Sequence, residues 1–392
     1  MQHSKNHKGN ILVVIISYMA FISLGLPDGL LGVSWPFISE RHGIPLDSLG
    51  ILLVSFVTGY LSTSTSTGKI MSVVSMGLLL AVSCFITGVS LLTYAYAQHW
   101  ILVIIATFFL GSGGGAIDTS INTFAASQFS PSVVNWLHAF YGIGATAGPF
   151  IVTWMLIRGN EWFHGYFLVG SIQIVLALVF VFTLKYWKLS HSKSAEVASG
   201  TYREALGMPR FWLTLCIFFI YTGLEAGVGQ WAFTILTQSR NIEEESAGLW
   251  TSAYWGSLTA GRIIFGFVLI RLRVQIVLLS AFAGIVLGSV LFLTAPLPLI
   301  AFVGIVIIGF ANAPVFPCLI SITPQQVGAQ HAGNAIGFQV SAALIGSAVL
   351  PGFAGLMTDY FGWEVIPLLF VIESILLLTL YLAVSGRSYA RA

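Results

Sequence analysis

The sequence predicts an all-α membrane protein in which twelve transmembrane helices form two parallel six-helix repeats. Two observations support this fold class: the composition and a series of long apolar stretches. Of the 392 residues, 57% are hydrophobic and only 8% are charged, whereas about 25% of residues are charged in soluble globular chains. A large soluble domain is therefore excluded, and each apolar stretch is long enough to cross a bilayer as a helix.

The first apolar stretch follows a short polar N-terminus, Met1–Asn10, and is too long for the apolar core of a signal peptide. We therefore interpret it as a retained first helix. The predicted spans cover residues 11–37, 46–67, 71–97, 100–127, 133–157, 163–187, 211–237, 246–270, 274–295, 297–321, 333–358 and 363–385.

One connection, from Lys188 to Arg210, is longer and more polar than the others. It divides the chain into a predicted N-terminal six-helix bundle (1–187), a cytoplasmic linker (188–210) and a C-terminal six-helix bundle (211–392).

Positive charges in the loops predict the orientation. With a cytoplasmic N-terminus, twelve Lys and Arg residues lie on the inner side and three on the outer side. This bias predicts cytoplasmic termini in a multi-pass protein of the cell (plasma or inner) membrane. The inner residues are Lys5, Lys8, Lys69, Lys185, Lys188, Lys193, Arg203, Arg210, Arg271, Arg273, Arg387 and Arg391, and the outer ones are Arg41, Arg158 and Arg240.

The two halves repeat each other. Leu24–Gly29 followed by Trp35–Phe37 matches Thr222–Ala226 followed by Trp231–Phe233, with a one-residue gap. An even number of helices in each half makes the repeats parallel, so a substrate site is expected between them near the midplane. At nearly the same offset, Gly50, Gly59 and Gly111 align with Gly248, Gly256 and Gly309.

The fourth predicted helix combines a glycine cluster with a carboxylate. Four glycines in Gly111–Gly115 precede Asp118, and Asn122 lies one turn later on the same helix face. The glycines allow a second helix or a solute to approach closely. An acid at membrane depth is costly unless it faces water, has a partner or takes up a proton. We therefore interpret this helix as a wall of a transport pathway, with a permanent interhelical hydrogen bond as the alternative role of Asp118.

Charged side chains inside the spans are each a hypothesis for a functional site. Glu225 occupies the position in the second half that is related by the repeat to the first-helix acid. It is predicted either to bind a proton or to form a structural ion pair with Arg262. Glu373 has no polar neighbour in its apolar run and is expected to be peripheral. The five residues are Asp28, Asp118, Glu225, Arg262 and Glu373.

Asp28 lies between Pro27 and Gly29. Because proline removes a backbone hydrogen bond, this sequence predicts a break in the first helix at membrane depth. Asp28 is expected to bind a substrate hydroxyl or a proton there, or to accept hydrogen bonds from the freed backbone.

Twelve helices divided six plus six, with a central cytoplasmic loop, resemble the major facilitator superfamily across essentially the whole chain. The pattern Gly-x-Gly-x-Gly-x-x-Asp-Thr, from Gly111 to Thr119, resembles the fourth helix of the fucose–galactose–glucose:proton symporters, where the acid is commonly Glu. Gly223–Glu225 and Gly261–Gly266 also resemble that branch. The superfamily's loop motif between helices two and three is reduced here to Thr67–Lys69, which weakens the case for its cytoplasmic latch.

This resemblance implies roles for the acids. In those symporters, the acid at the position of Asp118 is tied to proton coupling, and an Asp lies close to the position of Asp28. The predicted proton-coupling residues are therefore Asp118, Asp28 and Glu225.

Polar side chains within the spans indicate a neutral polar solute. A sugar needs hydrogen-bond partners around its ring edge and an aromatic surface for its C–H face. Because buried amides without partners are costly, a set of amides within the spans indicates a polar solute that pairs with them. In the superfamily, helices one, four, seven and ten line the central cavity. For each residue alone, the alternative is interhelical hydrogen bonding worth less than about 2 kcal/mol. The predicted substrate-binding residues are Asp28, Asn122, Asn135, His138, Gln230, Trp231, Asn312 and Gln339.

Two tryptophans near the outer ends of helices one and seven, Trp35 and Trp231, have two further interpretations. They are either a stacking pair that closes the outer side or members of the interfacial aromatic belt.

The sequence thus predicts a secondary active transporter, a proton-coupled symporter of a neutral monosaccharide that works by alternating access. A drug or lipid exporter of the same fold, a sodium-coupled sugar carrier and a sugar uniporter stay open as alternatives. No Walker-type phosphate loop, metal-ligand cluster or nucleophile motif is present. We therefore expect no enzyme activity, no metal, no cofactor besides the coupling ion and no nucleic-acid partner. The expected partners are the sugar and the lipid bilayer, and the expected state is a monomer.

Overall fold

The computed structural model describes residues 2–129, 131–187, 207–295, 297–328 and 332–389. These residues are almost entirely α-helical. Before the predicted linker they form α1 (Gln2–His42), α2 (Leu49–Val73), α3 (Met76–Tyr96), α4 (Trp100–Gln128), α5 (Pro131–Ile157) and α6 (Phe163–Thr183). After it they form α7 (Pro209–Thr234), α8 (Glu244–Val268), α9 (Val274–Thr294), α10 (Pro298–Asn312), α11 (Val315–Val327), α12 (Ala332–Phe361) and α13 (Val365–Tyr389).

These helices make twelve spans, because α10 and α11 together form one span from Pro298 to Val327. Eleven spans in the described part of the chain are long and apolar enough to cross a membrane. The remaining one, α8, is more polar because it carries Glu244, Glu245 and Arg262. The predicted all-α fold with twelve helices is confirmed.

Two spans differ from the prediction at proline residues. The expected break at Pro27 is wrong, because α1 continues through Pro27 and Pro36 to His42. Neighbouring helices and local adjustments can compensate the lost backbone hydrogen bond in a membrane helix. The interruption lies instead in the tenth span, where α10 ends at Asn312 and Pro314, which lacks an N–H group, precedes α11.

The chain folds into two compact units: Met1–Leu46 with Ile51–Lys193, and Asp47–Gly50 with Ser194–Ala392. In the first unit α1 packs most extensively on α5, and in the second unit α7 packs most extensively on α12. Helices at equivalent places in the two halves therefore form equivalent pairs. The boundaries 1–187 and 211–392 stay a prediction, because most of the linker 188–210 lies outside the described residues.

The internal repeat is also visible where two helices approach each other closely. A Cβ atom at Gly111 on α4 would lie 2.0 Å from the carbonyl oxygen of Phe56 on α2. A Cβ atom at Gly309 on α10 would lie 2.5 Å from the carbonyl oxygen of Tyr254 on α8. The offsets are equal, since 309 minus 111 and 254 minus 56 are both 198. The aligned glycines thus serve the same close approach in each unit.

Candidate functional site

Asp118 on α4 has a neutral hydrogen-bond donor on each of its carboxyl oxygens. The Tyr60 hydroxyl on α2 donates to Oδ2 at 2.5 Å, and the Asn122 amide donates to Oδ1 at 2.8 Å. The acid is half-buried, and in the described part of the chain it forms no ion pair. The predicted pairing of Asp118 with Asn122 on one helix face is therefore present, and Tyr60 completes it.

Asp28 on α1 belongs to the same group of side chains. It accepts a hydrogen bond from the Tyr141 hydroxyl on α5. Tyr60 lies within electrostatic range of both Asp28 and Tyr141, and His138 on α5 lies within that range of Asp118. We call Asp28, Tyr60, Asp118, Asn122, His138 and Tyr141 the first-unit cluster.

Two hydrogen bonds outside the cluster fix α2 against α4 beside Asp118. The Thr63 hydroxyl donates to the carbonyl oxygen of Ser112 at 2.7 Å, and the hydroxyls of Ser64 and Thr119 are 2.8 Å apart. These contacts position Tyr60, which comes one turn earlier on α2, relative to the carboxylate.

The second unit surrounds its acid differently. Glu225 on α7 accepts a hydrogen bond from the Tyr221 hydroxyl, and an Arg262 guanidinium nitrogen on α8 lies 3.8 Å from its Oε1. The Tyr254 hydroxyl donates to the carbonyl oxygen of Glu225 at 2.7 Å. Glu225 therefore has both a neutral donor and a cation, as the predicted ion pair requires.

Asn312 lies beside these residues, at the end of α10. Its carbonyl oxygen accepts from Tyr221 at 3.3 Å, and neither polar atom of its side chain has a hydrogen-bond partner among the described residues. The side chain is fully buried. The interruption between α10 and α11 thus places a polar side chain against the tyrosines that hold Glu225.

The two tryptophans are enclosed within their own units. Trp35 donates its indole N–H to the carbonyl oxygen of Leu46 at 2.8 Å, and Trp231 donates to that of Pro351 at 2.9 Å. Both side chains are fully buried. The interfacial-belt interpretation is therefore wrong for both, because belt residues are exposed to the headgroup region.

The remaining predicted residues have other surroundings. Gln339 is fully buried, donates to the Thr214 hydroxyl at 3.1 Å and accepts from Thr323 at 2.9 Å. Gln230 is buried on α7. In the described residues, Glu373 Oε2 has no hydrogen-bond partner. The side chain of Asn135 lies outside the described part of the structure.

The tyrosines were not identified from the sequence. Each of Asp28, Asp118 and Glu225 accepts a hydrogen bond from a tyrosine hydroxyl. Of the three tyrosines, only Tyr221 could have been identified from the sequence, because it precedes Glu225 by four residues and so shares its helix face. For Tyr60 and Tyr141 the partner is on another helix, and spacing along the chain carries no such signal.

Comparison with known proteins identifies the family. The sequence profile of the Major Facilitator Superfamily matches residues 13–240 and 231–391. The chain belongs to this superfamily. It is therefore a multi-pass membrane protein of a transporter family, as the resemblance of its motifs implied.

Relatives within the superfamily include sugar transporters. The chain is 22% identical to the glucose/mannose transporter GlcP of Bacillus subtilis over 351 aligned residues. This alignment covers 87% of this chain and 86% of that protein. It is 24% identical to the sodium-dependent glucose transporter 1A of Mus musculus over 384 aligned residues. This alignment covers 88% of this chain and 89% of that protein.

Solved structures share the fold. A mutant of the nucleoside transporter NupG superimposes with a TM-score of 0.76 at 16% identity, over 94% of this chain and 98% of that one. A bacterial homologue of the lysosomal transporter Spinster gives a TM-score of 0.76 at 13% identity, over 96% and 97% of the two chains. At these identities the likeness concerns the fold alone.

Proposed function

We propose that this protein is a secondary active transporter that carries a neutral monosaccharide together with a proton by alternating access. The observation that carries the proposal is the environment of Asp118, a half-buried acid within a membrane span. Its donors, Tyr60 and Asn122, are both neutral. Such an acid can exchange a proton without separating from a fixed cation, and buried acids in membranes commonly serve proton transfer.

The contrast between the units supports assigning the proton to Asp118. An Arg262 guanidinium nitrogen lies 3.8 Å from the Glu225 carboxylate and offsets its charge, so proton uptake by Glu225 would disrupt this ion pair. Asp118 has no arginine or lysine partner among the described residues. Glu225 is accordingly proposed as an anchor that holds α7 to α8, and Asp118 as the group that loads and releases the proton.

The proposed substrate follows from hydrogen-bonding chemistry and from the relatives. Asp28, Asn122 and Asn312 offer acceptors and amides that suit the hydroxyl groups of a neutral sugar. The curated relatives include a glucose/mannose transporter and a glucose transporter. The charge distribution of the loops supports a location in the cell membrane with both termini in the cytoplasm. No enzymatic step is required.

The test is uptake by the purified protein in liposomes. A panel of hexoses, including glucose and mannose, is offered under an imposed inward proton gradient. The unaltered protein should accumulate a hexose above its external concentration, and Asp118→Asn should abolish accumulation while retaining exchange across the membrane. Glu373→Gln is the matched control, because it removes an intramembrane acid that does not belong to the first-unit cluster and should leave accumulation unchanged. Accumulation by Asp118→Asn equal to that of the unaltered protein would contradict the proposal.

Sodium coupling is the second candidate, because one relative is named as a sodium-dependent glucose transporter. The same liposomes decide between the ions. Accumulation that requires an inward sodium gradient and is insensitive to the proton gradient would replace the proton by sodium. Equilibration without accumulation under either gradient would indicate a uniporter.

A further inference from the structure

The Tyr60 hydroxyl lies at the junction of the two acids of the first-unit cluster. Its oxygen is 2.5 Å from Asp118 Oδ2 and lies within electrostatic range of Asp28 and Tyr141. A tyrosine hydroxyl has one hydrogen to donate and lone pairs that accept. Oδ1 of Asp118 is already occupied by the donor group of Asn122. The state of Asp118 therefore determines the direction of the hydrogen bond at Oδ2.

Protonation of Asp118 reverses this hydrogen bond. An ionised carboxylate only accepts, so Tyr60 donates to it. A proton delivered from the aqueous side goes to Oδ2, because the Tyr60 oxygen can accept the new O–H group, whereas the Asn122 N–H that faces Oδ1 can only donate. The new O–H group donates to the Tyr60 oxygen, and the Tyr60 hydrogen turns about its C–O bond away from Asp118. The phenol stays neutral throughout, and no bond to its hydrogen breaks.

We propose that Tyr60 is the positioning residue that links the proton on Asp118 to sugar binding at Asp28. This rests on the function proposed above. A sugar hydroxyl both donates and accepts. It donates to the Asp28 carboxylate and accepts the hydrogen that Tyr60 directs away from protonated Asp118. When Asp118 is ionised, that hydrogen returns to Asp118 and the sugar loses a donor, so its affinity falls.

The charged and titratable groups around Asp118 come from three helices. Tyr60 on α2 bonds to it directly, and His138 on α5 lies within electrostatic range. Asp28 on α1 and Tyr141 on α5 lie beyond Tyr60. Asp118 is the group in contact with Tyr60, so its protonation sets the pH dependence of sugar affinity. Affinity is greatest at low pH and declines as the pH rises through the titration of Asp118.

The experiment measures glucose affinity in lipid nanodiscs for four proteins: the unaltered chain, Asp118→Asn, Tyr60→Phe and the double variant. Each is measured at about pH 5 and about pH 8, and a coupling of typical size makes the affinity about tenfold higher for protonated than for ionised Asp118. Asp118→Asn presents an N–H to Tyr60 and so imitates the protonated acid. It should bind glucose tightly at both pH values. Tyr60→Phe should bind weakly at both, and adding Asp118→Asn to it should change the affinity by less than about twofold.

Tyr94→Phe is the matched control. Tyr94 is also a buried tyrosine, and its hydroxyl lies 2.6 Å from that of Thr107, with no acid involved. This variant should keep the pH dependence of the unaltered protein. If Tyr60→Phe keeps that dependence, or if Asp118→Asn changes affinity equally with and without Tyr60, the role of Tyr60 is refuted while the proposed function stands. If no hexose of the liposome panel binds to the unaltered protein, or if that binding is independent of pH, the proposed function itself fails.

Discussion

Replacing Gly111 by alanine tests whether the close approach of α2 and α4 holds the first-unit cluster together. The added Cβ would lie 2.0 Å from the backbone oxygen of Phe56, which cannot move without its helix. Because Cβ atoms come no closer than about 3.0 Å to such atoms, α2 and α4 must separate locally by roughly 1 Å. Overpacking of this kind lowers the free energy of unfolding by about 1–3 kcal/mol.

Gly114→Ala is the matched control on the same helix. Its Cβ would lie 3.8 Å from Leu24 and 4.0 Å from Tyr60, which are ordinary contacts. There the higher helix propensity of alanine adds up to about 1 kcal/mol. Thermal unfolding of each purified variant, followed by tryptophan fluorescence in one detergent, should give a lower melting temperature for Gly111→Ala and an unchanged or higher one for Gly114→Ala.

Gly111→Ala also has an expected effect on transport. Separation of the helices lengthens the hydrogen bond between Tyr60 and Asp118, which is 2.5 Å in the structure. Misplacement by about 1 Å can reduce rates by up to about a hundredfold, so concentrative uptake should fall well below that of Gly114→Ala. Equal melting temperatures and equal uptake rates for the two variants would refute the role assigned to this helix approach.

Two further predictions concern the ion pairs of the second unit. Arg262→Met leaves the Glu225 carboxylate without its cation and should lower the free energy of unfolding by roughly 1–3 kcal/mol. This loss is smaller than for a tight buried pair, because the two charged groups are 3.8 Å apart. Adding Glu225→Gln to the same chain should restore part of the lost stability, and chemical denaturation that shows no restoration would contradict the pairing. Burial alone raises the pKa of Glu364, but hydrogen bonds from Arg240 and Ser239 and the Arg240 charge hold that pKa below its usual value. The pair therefore stabilises the fold above about pH 4.3, the usual pKa of glutamate, and this contribution is lost as the pH falls through the lowered folded-state pKa. Since Glu364 is partly exposed, Glu364→Gln should lower the free energy of unfolding at neutral pH by only about 0–1 kcal/mol, and denaturation curves of the two proteins should converge in acid.

The helices and their repetition could be predicted from the sequence for a physical reason. In lipid, backbone N–H and C=O groups must bond within the chain, so long apolar stretches have helices as almost their only option. The alignment of Gly111 with Gly309 likewise anticipated a shared close approach, because only glycine permits backbones to come so near. Proline was less informative, since α1 continues through Pro27 while the tenth span is interrupted before Pro314.

The hydrogen-bond partners of Asp28 and Asp118 were decided by tertiary structure. Tyr60 is 58 positions from Asp118, and Tyr141 is 113 positions from Asp28. Helical periodicity assigns a residue to a face of its own helix, but it does not say which face of another helix that side chain meets. The sequence alone therefore placed each carboxyl group at membrane depth, whereas the packing of α1, α2, α4 and α5 determined which hydroxyl bonds to it.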